Sequence, residues 1–172
     1  VHQFIVKPNT KDMAETATHV ELFECLKTID PNELVFRYHT KGVTHTRDGV
    51  EQPWAELMWE VNMDLPSVHD ALASHLTCGV MRSDNPLVKK NKGNYFYAGS
   101  AYWMRAKEVF ERDWSFIERN RWWVEYFPSH IFSYEESACI LHDFVHSSVL
   151  TKEYFNSFVM TDWLNWKKAK GL

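Results

Sequence analysis

Short apolar runs alternate with longer amphipathic stretches along this 172-residue chain, and the two periods predict different elements. Residues 34–38 (LVFRY) are apolar or aromatic at most positions, too few for a helix, and follow the turn signal Asp30-Pro31-Asn32, so they predict a buried strand. Residues 3–6 predict an earlier strand. After a turn, Thr10 supplies an N-cap for a helix to about Thr28, in which Val20, Phe23, Leu26 and Ile29 recur at helical spacing. Strand, helix, strand is the order that generates a right-handed parallel crossover.

Pro53 suits the first turn of a second helix, whose stripe is Trp54, Leu57, Met58, Val61 and Leu65. Pro66 restarts the chain as a third, with Val68, Ala71, Leu72 and His75 on one face. Residues 76–81 (LTCGVM) predict another strand, followed by the polar loop Arg82-Ser83-Asp84-Asn85-Pro86. Residues 95–103 predict a third strand of the same sheet. There Ala98-Gly99-Ser100 interrupts a run of aromatic rings, either to let a ligand approach the backbone or as a bulge. From Ala106 the pattern is helical to the end: an aromatic segment over 119–127 closed by Pro128, then a segment over 134–149 whose acidic start, Glu135-Glu136, complements a helix dipole. The whole predicts one α/β domain over 1–172, with a central, mostly parallel sheet and helices on both faces.

Composition narrows the partners. A net charge of −4 and a pI near 6.1 leave no basic footprint, which argues against nucleic acid; Lys89, Lys90 and Lys92 fit a solvated loop. Three widely spaced cysteines without CxxC spacing predict reduced thiols rather than a disulfide framework or zinc knuckle. No run approaches the length of a membrane span and no secretory leader is evident, which predicts a cytoplasmic protein. The chain begins at Val1, as a trimmed piece of a longer protein would.

Candidate chemistry gathers at the strand ends, because open α/β sheets bind ligands in the crevice outside their carboxyl ends. His39, Thr40, Lys41 and Gly42 follow the LVFRY strand, and Asp84 follows the LTCGVM strand as a base, a metal ligand or an Asx-turn residue. His142 and His146 have the spacing of two metal ligands on one helix, without the glutamate of a metalloprotease motif.

The segments VFRYHTKGVTH, PWAELMWEV, LTCGVM, GNYFYAGSAYWMRAKEV and FSYEESACI, in that order, resemble a group of polysaccharide-building glycosyltransferases of bacteria, algae and large algal viruses, over roughly residues 14 to 140. The resemblance implies a GT-A-like sandwich that binds a nucleotide-sugar donor and moves the sugar to a hydroxyl of a glycan or other acceptor. His39, Thr40, Lys41 and Gly42 would bind the donor, Tyr97, Gly99, Ser100 and Trp103 would seat a sugar or the acceptor, and Glu135, Glu136 or Asp84 would supply the catalytic carboxylate. Two departures matter. No Asp-x-Asp occurs, so Lys41 would neutralise the diphosphate directly, and a requirement for Mn or Mg is left open. The family also carries a further strand and helix before the position of Gln3, which help to bind the base. Two other functions fit the residues: a carbohydrate-binding or inactive transferase-like module, and a zinc hydrolase using His39, His45, His142 and His146.

Overall fold

The computed structural model describes residues 12–38, 51–84, 93–119, 122–145 and 152–172. The predicted strand at 3–6 and the loop from His39 to Gly42 lie outside these residues. A 3-10 turn, Ala14–Thr18, leads into α1 (His19–Leu26) and β1 (Leu34–Arg37); α2 (Glu51–Asn62) and α3 (Leu65–Ser74) precede β2 (Thr77–Asp84). Next come β3 (Tyr95–Tyr97), a second 3-10 turn at Ala98–Ser100, β4 (Tyr102–Arg105), α4 (Ala106–Phe110), α5 (Trp123–Ile131) and β5 (Ser137–Val145). The chain closes with α6 (Lys152–Tyr154), a π-helical segment at Phe155–Val159, and α7 (Met160–Lys170). Among the described residues, no helix is long and apolar enough to cross a membrane.

The five strands of the described residues form one open sheet around β2, which is buried at seven of its eight positions. One edge of β2 carries β5 in parallel; its other edge carries β4 beside Thr77–Gly79 and β3 beside Arg82–Asp84, both antiparallel. β1 pairs antiparallel with β4 on the outside. Both faces are covered. Val35, Tyr97, Tyr102 and Met104 pack under Phe23 of α1 and Trp123 and Phe127 of α5. On the other face, Val80, Met81 and Phe144 meet Leu57 and Val61 of α2 and the C-terminal helices, while Cys78 and Trp103 meet α3. Each such large apolar side chain removed from water contributes on the order of 1.5–3 kcal/mol.

The helical stripes at Phe23, at Leu57–Val61 and at Val68–Leu72, and strands in all three predicted places, agree with the periodicity. Three expectations are corrected. The sheet is not mostly parallel: only the β2–β5 pairing is. Ten residues separate Asp84 from Tyr95, and a parallel return needs a crossover of roughly a dozen or more, so the chain comes back antiparallel. β2, reached from β1 across α2 and α3, and β5, reached across α4 and α5, have connections long enough to run in the direction of β1. Second, residues 137–145 are a strand, not a helix. Their true period is two: Ala138 and Ile140 pack toward α3, and the rings of His142 and Phe144 stack two residues apart, 6.0 Å between centroids. Third, β2 continues through Arg82, Ser83 and Asp84, three of the residues expected to loop, because Asp143 meets Arg82 inside the sheet.

Gly79 is required by packing. A Cβ there would lie 2.8 Å from Cγ and 2.9 Å from Cε1 of Tyr97, a fully buried ring. Gly79→Ala is expected to destabilise the protein by about 1–3 kcal/mol, read as a lower urea midpoint at unchanged slope.

Candidate active site at the stepped sheet edge

β1, β2 and β5 run in one direction, so their carboxyl ends share one edge of the sheet. That edge is stepped. Arg37, the last residue of β1, aligns through Tyr102 with Gly79, and β2 continues five residues farther to Asp84. The strand between them is broken at the step: five residues from Tyr97 to Tyr102 span three of β2, and the three-residue turn Ala98–Ser100 takes up the excess of two. Gly99 (φ 83°) and Ser100 (φ 52°) both take the left-handed conformation. Glycine adopts it freely; serine does so at a cost that its surroundings must offset. Ser100 is fully buried and its Oγ donates to Glu15 Oε1 at 3.3 Å.

Glu15 also accepts from Arg37 Nη2 at 3.1 Å, so one carboxylate ties the turn before α1 to the end of β1 and to the bulge. Arg37 is 8% exposed, and its Nε has no hydrogen-bond partner. The sequence gives a signal for this cluster that hydrophobic patterning overlooks: an arginine closing a buried apolar strand, LVFR, must find an anion. Arg82 in GVMR carries the same signal. It donates from Nε to Asp143 at 3.2 Å and from Nη2 to the same carboxylate, and from Nη1 to Ser137 Oγ at 2.8 Å and Tyr134 O at 3.2 Å, with the Tyr134 ring 3.8 Å away. Burial works against its charge, but the Asp143 carboxylate outweighs that and holds its pKa above the ordinary value.

The predicted site residues divide. His39, Thr40, Lys41 and Gly42 lie outside the described residues, although Tyr38, which precedes them, stands at the step. Asp84 is exposed at the end of β2. Gly99 and Ser100 form the step. Tyr97 and Trp103 do not make one floor, because the turn reverses the alternation between them: Tyr97 is buried beside Tyr102, 5.8 Å between rings, and donates to Ala138 O at 2.9 Å. Trp103 faces the other side, stacked 4.5 Å from Phe36 and donating to Asn62 O at 3.0 Å.

Glu135 and Glu136 are corrected in both structure and place. They occupy the turn before β5, not a helix start, and the Glu136 carbonyl accepts from the N–H groups of Leu76 and Thr77 at the amino end of β2. Asp84 is seven residues, about 23 Å of strand, farther on. Glu136 is held by both Nη atoms of Arg112 (2.7 and 2.9 Å) and by the Ser133 N–H at 2.8 Å. Glu135 is fully exposed, its pKa lowered by its own backbone N–H and by Ser133. Neither stands at the step, and Asp84 becomes the candidate carboxylate there. Of the four histidines in the hydrolase alternative, His142 lies within β5 with both ring nitrogens engaged, by Asp162 at 2.6 Å and Tyr154 at 2.9 Å; the others lie outside the described residues. Among the described residues, no three His, Cys, Asp or Glu side chains converge on a cation position. The three cysteines are unpaired, and burial pushes the thiols of Cys78 and Cys139 up to about 12 and about 11.

His19 lies under the step, between the rings of Phe23 and Phe127, with Nε2 donating to Trp114 O at 3.4 Å. Burial, with Arg37 nearby, lowers its pKa from 6.5 to about 4. The unfolded chain therefore binds this proton more tightly: stability is complete above pH 6.5 and falls as pH drops toward 4, by about 3 kcal/mol in all. His19→Phe is expected to flatten the pH dependence of the urea midpoint across that window. Glu136→Gln is expected to lower the midpoint at pH 7 by about 1 kcal/mol, since its half-exposed ion pair is partly screened, whereas Glu135→Gln leaves it unchanged. No protein-family model, curated protein or solved structure matches this chain.

Proposed function

We propose that this chain is a glycosyltransferase domain of GT-A-like type, which moves a sugar from a nucleotide-sugar donor to a hydroxyl of a glycan or other acceptor at the stepped edge. The observation that carries this is the step itself. A left-handed Gly99–Ser100 turn is fixed by Glu15, which also holds Arg37 at the end of β1, and Tyr38 alone separates Arg37 from His39-Thr40-Lys41-Gly42 in the sequence. Close approach to a backbone of small residues suits a diphosphate or a sugar ring.

Sugar transfer needs a counter-charge for the departing diphosphate, a base for the acceptor hydroxyl, and walls that hold both in line. Lys41 supplies the charge, with His39 donating a hydrogen bond beside it. Asp84 takes the acceptor proton. A divalent cation would be held by the diphosphate oxygens, since the described residues offer no ligand set for it. Three free cysteines fit a reducing, cytoplasmic compartment. The second function, a carbohydrate-binding or inactive transferase-like module, draws support from the placement of Glu135 and Glu136 away from the step, which leaves Asp84 as the single candidate base.

A thermal-shift screen of nucleotide sugars, with and without Mn²⁺, tests the binding half. A donor at 100 times its Kd should stabilise the protein by about 2.7 kcal/mol. For turnover, Lys41→Met is expected to reduce transfer or donor hydrolysis at least tenfold with the melting temperature nearly unchanged. Full activity in that variant removes Lys41 from the site, and glycan binding without any donor turnover selects the module instead.

A further inference from the structure

On the far side of the sheet from the Glu15 cluster, three residues from two parts of the chain form one hydrogen-bonded line. Asp162 of α7 lies 2.6 Å from His142 Nδ1, and His142 Nε2 lies 2.9 Å from the hydroxyl of Tyr154 at the end of α6. The imidazole is 9% exposed and stacked on Phe144, which fixes its plane. A carboxylate only accepts, so Asp162 holds the imidazole proton on Nδ1; Nε2 then presents a lone pair, and the Tyr154 hydroxyl donates to it.

The helix is deformed so that this line can form. Tyr154 and Asp162 are eight residues apart, which in a regular α-helix places them roughly 80° apart around the axis. Between them Phe155–Val159 is π-helical, with the Met160 N–H bonded five residues back to Phe155 O. The wider turn absorbs one residue, the pair behaves as i and i+7, and the offset falls to roughly 20°. Tyr154 and Asp162 thereby share the stripe that faces His142. π-helical turns carry a cost in hydrogen-bond geometry and recur at functional sites.

We propose that Tyr154 is a base-activated phenol, a site of covalent O-modification by electrophilic donors that carry a good leaving group. The Tyr154 oxygen forms the new bond to the electrophilic carbon as its proton passes to His142 Nε2. The leaving group departs with the bonding electron pair and takes that proton from the imidazolium, which Asp162 stabilises in the interval. No oxidant or reductant is involved. The inference stands apart from the transferase proposal, because it concerns different residues on the opposite face.

N-acetylimidazole on the full chain is a direct probe: the phenol oxygen takes the acetyl group and imidazole leaves with the proton. Tyr134 is the internal control, since it is exposed and donates to the Asp143 carboxylate at 3.0 Å, with no imidazole bonded to it among the described residues. Burial and the Asp162 charge raise the Tyr154 pKa, and burial and Asp143 raise that of Tyr134, so both phenols are protonated at pH 7.5 and a faster Tyr154 reports the imidazole beside it. Acetylation is followed by peptide mass spectrometry from pH 6 to 9.5. The expected result is that Tyr154 reacts at least tenfold faster than Tyr134 at pH 7.5, with a rate that reaches a plateau below the pH at which a free phenol ionises. In His142→Gln the rate is expected to fall at least tenfold and to climb about tenfold per pH unit, as an unassisted phenol does; Asp162→Asn falls between. A wild-type Tyr154 no faster than Tyr134, or a wild-type profile that climbs without a plateau, overturns the proposal. Both comparisons are made in the wild-type protein and do not depend on how the variants fold.

Discussion

A buried cation in the central strand constrains the rest of the sheet. Arg82 is 8% exposed on β2 and would cost several kcal/mol to place there unpaired. Its guanidinium is satisfied instead by Asp143, Ser137 and the Tyr134 carbonyl, all on or next to β5, with the Tyr134 ring over its face. β5 can lie only where those groups meet Arg82, which selects its parallel register on β2 and binds the turn before it. Because Asp143 remains partly exposed, the pair is screened at its outer end, so its contribution is more to register than to net stability. The same device recurs at the margins: Arg37 with Glu15, Arg112 with Glu136, and Arg105 with the Leu72 and His75 carbonyls at the end of α3. Arg37 and Arg105 each fasten a helix or turn to a strand, and Arg112 joins the turn after α4 to the turn before β5.

The stepped edge follows from that frame together with chain length. Ten residues between β2 and β3 force an antiparallel return, and the returning strand must serve both the long β2 and the short β1. It does so by breaking, with two extra residues turned out at Gly99 and Ser100 where β1 stops. The break leaves two backbone positions in a conformation that only a fixed environment sustains for serine, and Glu15 supplies it. The proposed ligand site is placed here, where backbone is held strained, close to a cation and beside the strand ends.

Much of this was legible in the sequence. Apolar stripes at Phe23, Leu57–Val61 and Val68–Leu72 located helices, and LVFR, LTCGVM and YFYAGSAYW located strands, because burial imposes a period that survives without tertiary information. Direction did not survive, since the sense of a strand depends on the length of what precedes it, and the ten-residue return was the available clue. The segment SACILHDFV was misread as a helix because Ala138, Leu141 and Val145 also fit a helical stripe; the alternation through Ala138, Ile140, His142 and Phe144 was the competing signal. Glu15 carried no local mark, whereas Arg37 and Arg82, cations inside apolar strands, announced that an anion must be near. The line from Asp162 through His142 to Tyr154 was hidden by the π-helical turn, which moves two residues at non-helical spacing onto one stripe.

The central claim, that the stepped carboxyl edge receives a nucleotide sugar, is tested most directly by amide hydrogen exchange with and without the donor that gives the largest thermal shift. Binding there predicts slower exchange in the described segments that meet at the step: residues 36–38, 84 and 97–102. Exchange at residues 133–137, beside Arg112 at the opposite end of β2, should not change. Protection at 133–137 with none at the step, or no change anywhere at saturating donor, would contradict the account.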